Sequence, residues 1–300
     1  MRAGSKDRSP ALLPTVALLV VAAVWGSTFV VVKAATGRLP VLDFLAWRFA
    51  LAALAMLALR PRAVLQLGRD GRRAGVLLGL ALAAGFLFQT YGLRSTGAAV
   101  SGFITGLYVV LTPLGAAVLL RRPPSKAAWA AVALAAVGLG LLSLHGLAIG
   151  AGELLTLLCA IAFALHIVGL GRWASAGDTL GLAVVQLGTV AVIYLGLTVP
   201  RGLRLPPDAG VWGALLLTAL AATALAYLVQ TWAQAHLAPT RAAVVMTMEP
   251  VFAGLFAVAV GGERLGWRTP LGGVLVLAAM LVAEVGPRAG AEGAVERLEF

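Results

Sequence analysis

Two ionisable side chains stand where the surrounding sequence gives them little company. Glu249 lies in "MTMEPVFAG" and Arg48 in "AWRFALAALA", each set among Ala, Val, Leu and Phe. A charge at the centre of a bilayer costs at least ~2.5–3.5 kcal/mol on insertion scales, so such groups are functional candidates by default. A carboxyl that exchanges a proton as its access to water alternates is the chemistry of proton coupling, and Glu249 is the candidate for it. The competing role is a protonated carboxyl bonded to a neighbouring helix, fixing geometry only. Arg48 cannot be neutralised. A structural ion pair, or snorkelling to a water-filled edge, suits its apolar surroundings better than substrate binding. Pro250 removes the backbone donor that would reach the Met246 carbonyl, so Glu249 is expected mid-helix at a loosened turn. Pro113 in "LYVVLTPLGAAVLL" offers a related kink, and Pro113 and Pro250 are the candidate hinges.

Polar residues recur at i, i+4, i+7 and i+11, which places them on one helix face. Ser101, Thr105, Tyr108 and Thr112 form one such stripe; Thr223, Tyr227, Gln230 and Gln234 form another. Trp25 with Thr28, Phe163 with His166, and Gln89 add shorter polar or aromatic sets. Polar faces inside a bilayer must meet protein or water. The expected lining of a substrate cavity is therefore Trp25, Thr28, Gln89, Ser101, Thr105, Tyr108, Thr112, Phe163, His166, Tyr227, Gln230 and Glu249. The alternative is helix–helix glue, in which Ser, Thr and Gln bond between helices for well under ~2 kcal/mol each. Gly75/Gly79 and Gly102/Gly106 have the GxxxG spacing that lets backbones approach closely, which is mostly a packing device.

The elements that hold these residues follow from composition. The 300 residues are 61% hydrophobic and 12% charged, with a mean hydropathy of +0.97. A soluble domain carries about a quarter charged residues, and no single water-soluble core could bury this much apolar surface. Lipid must solvate the chain. The net charge of +11 lies in short Arg clusters between apolar runs, without a basic face interleaved with aromatics, so nucleic acid is not an expected partner. Membrane lipid and a small-molecule substrate are. Cys159 is the lone cysteine, which excludes disulfides and Cys-based metal sites. No G-x-x-x-x-G-K-[ST], H-E-x-x-H or midplane aspartate pair occurs, so no catalytic residue, metal or cofactor is expected.

A spanning helix needs about twenty apolar residues, and ten stretches qualify: 11–32, 41–59, 74–93, 98–120, 127–144, 152–171, 179–199, 211–235, 240–260 and 269–285. The first resembles a signal peptide, but its apolar run continues through Val32 and reads as a retained helix. With the N-terminus inside, cytoplasmic segments hold fifteen Lys and Arg and outside loops seven, so both termini are expected in the cytoplasm. The halves repeat. Arg48 aligns with Gln186 at an offset of 138, Gln89 with Gln230 at 141, and Thr112 with Glu249 at 137. Five helices per copy is an odd number, so the second copy enters upside down. The expected fold is all-α: a polytopic membrane protein of ten transmembrane helices as two inverted five-helix repeats, residues 11–145 and 150–286. A disordered cytoplasmic tail over 287–300 follows. Such repeats point to alternating access around a midplane site.

"AAVWGSTFVVVKAA", "AWRFALAALAM", "GLRSTGAAVSGFITGLYVVLTPLGAAVLLRRPPS", "GELLTLLCAIAFALHIV" and "APTRAAVVMTMEPVFAGLFAVAVGGERLGW" occur in that order. Together they resemble the drug/metabolite transporter superfamily, in its EamA-type branch of ten-helix bacterial exporters and permeases. The resemblance covers Pro14 to Val285. It implies a protein of the cytoplasmic (inner) membrane performing secondary transport of small metabolites, often efflux. The first copy departs from the pattern: it has "LLRRPPS" where such repeats usually have "GER", as the second does at Gly262–Arg264, so an inter-repeat contact is expected to be absent there. A non-transporting membrane sensor or scaffold, and less readily an intramembrane enzyme, are the competing functions.

Overall fold

The computed structural model describes residues 12–59, 61–119, 125–145, 148–173, 179–236 and 245–285. The expected tail over 287–300 and the first copy's "LRRPP" segment at 120–124 lie outside the described residues. The first half contains α1 (Leu12–Thr36), α2 (Val41–Leu59), the short α3 (Ala63–Gln66), α4 (Arg69–Leu93), α5 (Ala98–Gly106), α6 (Tyr108–Leu119) and α7 (Lys126–Ser143). A two-residue antiparallel ribbon, Leu144–His145 against Ala148–Ile149, leads into the second half and is a small departure from an all-helical chain. There follow α8 (Ala151–Trp173), α9 (Thr179–Thr198), α10 (Ala209–Leu216), a π-helical segment (Leu217–Leu225), α11 (Ala226–His236), α12 (Glu249–Ala259) and α13 (Arg268–Val285).

Local chemistry sets several of these ends. Asp208 starts α10 as an N-cap: its Oδ1 accepts from the Gly210 and Val211 amides at 2.8 and 3.1 Å, satisfying donors a helix start leaves free. The stretch expected as one helix over 98–120 is two, because the backbone tightens at Leu107. Leu107 N–H donates to Ile104 O and Val110 N–H to Leu107 O, both at i−3. The break therefore precedes Pro113, which sits inside α6. Pro250 acts differently again. It occupies the first turn of α12, where a missing N–H costs nothing. Glu249 is thus the first residue of a helix and not the middle of one.

Seven helical stretches among the described residues, with α5–α6 and the α10–α11 rod each taken as continuous, are at least 18 residues long and apolar enough to cross a membrane. Shorter apolar helices cover Lys126–Leu142, Glu249–Ala259 and Arg268–Ala283. The expected ninth span is the most shortened, since Pro250 begins its helix anew and residues 237–244 lie outside the described set. Large apolar side chains such as Val192, 70% exposed, and Leu54, 63% exposed, face outward. In a bilayer that face is solvated by lipid.

Close backbone approach joins the halves. A Cβ on Gly75 would stand 2.7 Å from Val185 Cγ1, and one on Gly79 2.6 Å from Thr189 Cβ, so α4 lies directly on α9. Gly102 admits Ala253 of α12 in the same way. Both GxxxG spacings serve packing. Across the bundle α4 packs on α8 and α9, α2 on α9 and the π segment, and α1 on α11 and α12. In addition α5 and α6 pack on α8, α5 on α12, and α7 on α13. Taking α10–α11 as one rod, exchange of the two halves maps this set of pairs onto itself.

Candidate functional site

A cavity of about 180 Å³ lies between the halves. Trp25 and Thr28 reach it from α1, Gln89 from α4, Thr105 from α5 and Tyr108 from α6. Phe163 and His166 come from α8, Tyr227 and Gln230 from α11, and Glu249 from α12. These are ten of the twelve expected lining residues. Ser101 and Thr112 are placed elsewhere: Ser101 is fully buried, and Thr112 donates back to Tyr108 O at 2.7 Å. The tight turn at Leu107 rotates α6 away from the face that straight helical spacing assigns.

The lining comes in equivalent positions. Trp25 and Thr28 correspond to Phe163 and His166 at an offset of 138, and Phe86 and Gln89 to Tyr227 and Gln230 at 141. Each half therefore contributes matched residues to one space. A second cavity of about 480 Å³ shares Leu82, His166, Leu170, Tyr227 and Gln230 with the first, and extends to Met56, Leu180, Leu182 and Trp232. Its outer wall is apolar, so the combined space offers a polar inner chamber and a greasy approach.

Polar groups inside are mostly held. The Tyr108 hydroxyl bonds the Glu249 carboxyl. Trp25 Nε1–H donates to the Ala222 carbonyl at 2.7 Å, in the π segment. Gln89 Nε2–H reaches Thr105 Oγ1 at 3.5 Å, and Gln230 Nε2–H reaches Met246 Sδ at 3.4 Å. His166 Nε2 meets Gln186 Oε1 at 2.6 Å. An amide oxygen only accepts, so this nitrogen carries the proton.

The sequence leaves Arg48 between a structural ion pair and a water-filled edge. The side chain lines the cavity and is 4% exposed, yet no ion pair among the described residues includes it. Its Nη2 stands 3.4 Å from Thr223 Oγ1, and its Nε is buried without a partner. The guanidinium carbon lies 4.7 Å from the Phe86 ring centre and 5.3 Å from that of Phe49. Cation–π contacts give ~0.5–2 kcal/mol each, whereas removing an ion from water costs several kcal/mol even after relaxation. The rings alone do not offset that. Among the described residues the ion pair does not occur, and the apolar flanks of Arg48 hide its orientation because Phe86 and Thr223 come from α4 and the π segment. Within that segment Thr223 Oγ1 donates to Thr218 O at 2.7 Å, five residues back. The wider winding turns Thr223 toward Arg48, and such segments recur at functional sites.

One end of the bundle is latched across the halves. Lys33 Nζ pairs with Glu263 at 3.2 Å and donates to Thr96 O at 2.9 Å. Glu263 also accepts from the Ala98 and Ala99 amides, at 2.6 and 3.3 Å, capping α5 from the other half. A carboxylate at a helix N-terminus satisfies free donors and opposes the helix dipole favourably. Arg38 pairs with Asp208 at the same end. The larger cavity runs toward the opposite end, where α2 finishes and α9 begins.

Comparison with known proteins agrees with this architecture. The EamA-like transporter family matches twice, over residues 13–144 and 150–284. An uncharacterized transporter of Archaeoglobus fulgidus is 32% identical over 282 residues, covering 94% of this chain and 89% of that protein. A protein of known crystal structure shares the fold at a TM-score of 0.63 and 19% identity, covering 98% of this chain and 100% of its own. No group of three His, Cys, Asp or Glu that could hold a metal occurs among the described residues, and the family is one of transporters, not enzymes. The chain is a multi-pass membrane protein and belongs to the EamA-like transporter family.

Proposed function

We propose that the protein exports small, apolar or amphipathic metabolites across the cytoplasmic membrane by alternating access. Two inverted five-helix units, residues 11–145 and 150–286, rock about the central cavity, giving ten crossings with both termini inside. The observation that carries this reading is the matched lining: equivalent positions of the two halves meet around one space that is latched at one end and continued toward the other. Repeats of opposite orientation can exchange conformations, so each can present the same residues to either side in turn. The charge bias of fifteen to seven supports the orientation. Under it the Lys33–Glu263 latch is outside and the larger cavity opens inward.

Proteoliposome flux tests the pathway. Tyr108→Ala and Gln230→Ala are expected to lower flux of a transported compound several-fold with little loss of folded protein. Val192→Ala, on the outward face, is expected to leave it unchanged. Equal behaviour of all three would mean that the polar stripes are packing. Folded, ligand-binding protein with no flux of any compound would favour the sensor reading.

A further inference from the structure

We propose that Arg48 anchors a substrate carboxylate, which makes the transported compound a monocarboxylate with a small aromatic or aliphatic body; this rests on the transport reading above. Arg48 is an almost fully buried guanidinium that faces the cavity, with no carboxylate partner among the described residues and a buried Nε lacking any acceptor. A guanidinium stays protonated, and its planar fork matches a carboxylate with two parallel N–H···O bonds. Thr223 occupies Nη2 only at 3.4 Å, which leaves the fork short of acceptors. An anion entering the cavity would supply the missing charge and the missing acceptor together.

The surroundings narrow the class further. Phe86, over which the guanidinium lies, meets Phe163 edge to face at 5.2 Å, and Trp25 lies 6.1 Å from Tyr227, so aromatic surfaces line the cavity that Arg48 faces. A dry cavity of about 150 Å³ accepts benzene, and this chamber is about 180 Å³. A dianionic phosphate would meet one permanent cation and the Glu249 carboxyl in the same chamber, a poor match in charge. A single carboxylate fits. Whether the compound also carries an ammonium, for which Glu249 is the available acceptor, separates organic acids from zwitterions that share the same anchor.

Thermal-shift and binding titrations on purified full-length protein, with phenylacetate, phenylalanine and phenethylamine as probes, decide the matter. Phenylacetate or phenylalanine is expected to stabilise the protein, since a ligand that binds the native state shifts unfolding by mass action. Phenethylamine, which lacks the carboxylate, is expected not to. Arg48→Gln is expected to raise Kd for the binding carboxylate on the order of 10–100-fold, the range for hydrogen bonds to charged groups. Arg48→Lys keeps the charge without the fork and is expected to fall between. Stabilisation by phenethylamine alone, by none of the three, or equally by all three would overturn the proposal. So would unchanged carboxylate affinity in folded Arg48→Gln. If neither variant folds, the comparison of probes on the unaltered protein still decides. Flux separates the two claims: transport of the amine alone leaves the transporter reading standing without this anchor. Carboxylate binding through Arg48 with no flux leaves the anchor standing without transport.

Discussion

Proteoliposomes carrying Glu249→Gln are expected to lose uptake driven by a proton gradient, while exchange of substrate without a gradient survives. The amide keeps the size of the side chain and can still bond Tyr108, but it cannot titrate. Glu249 opens α12 beside the central cavity, where helix dipole and burial act on its charge in opposite senses. A group so placed can exchange a proton when the cavity meets water and keep its form when the cavity is sealed. We propose it as the coupling site on that basis. Driven uptake should fall about tenfold or more, equivalent to ~1.4 kcal/mol in the coupled step. Loss of both activities in folded protein would assign Glu249 to substrate contact or structure. Unchanged driven uptake would remove the coupling role. Pro250→Ala is expected to be milder, because Pro250 stands in the first turn of α12 and breaks no hydrogen bond of that helix.

Gly26→Ala is expected to damage the protein more than any cavity substitution. A Cβ there would lie 2.6 Å from Phe252 Cβ, 2.7 Å from Ala253 N and 2.8 Å from Glu249 O. Two of these are backbone atoms of α12 and cannot rotate away, so α1 must move off the helix that carries Glu249. Overpacking of this kind costs ~1–3 kcal/mol, and here it also displaces both walls of the cavity. Lowered thermal stability and loss of flux should appear together. Gly188→Ala is the control, since nothing lies within 4 Å of its Cβ position, and it should match the parent protein. A stable, active Gly26→Ala would show that the α1–α12 contact is dispensable.

Much of the site was legible because helical periodicity survives inside a bilayer. Trp25 with Thr28, Phe163 with His166 and Tyr227 with Gln230 each sit three residues apart, and each pair faces the cavity. The offsets of 138 and 141 in the sequence reappear as matched positions in space. What was not legible depends on departures from regular winding or on partners distant in the chain. Nothing local in "LTALAATAL" marks it as π-helical, so the contact of Thr223 with Arg48 cannot be read from the sequence. The turn at Leu107 moved Thr112 out of the lining although Pro113 was the visible irregularity. Pro250 was read as a kink, whereas it starts a helix. Arg48 looks structural in sequence because its neighbours are apolar; Phe49 is its neighbour in α2, but Phe86 and Thr223 reach it from other helices. Glu263 caps α5 across 165 positions of sequence, a partnership that no local pattern shows.

The central claim, that one cavity is presented to each side of the membrane in turn, is tested most directly by labelling a cysteine within it. In a Cys159→Ala background, Thr28→Cys sits on the cavity wall. Ser125→Cys and Pro207→Cys, the latter at an exposed position, mark the cytoplasmic and outer faces under the proposed orientation. An impermeant maleimide applied to sealed right-side-out and inverted vesicles should label each marker from its own side only. Thr28→Cys should be labelled from both, with the balance shifted by a transported compound. Labelling of Thr28→Cys from a single side under every condition, with the markers behaving as expected, would contradict the account.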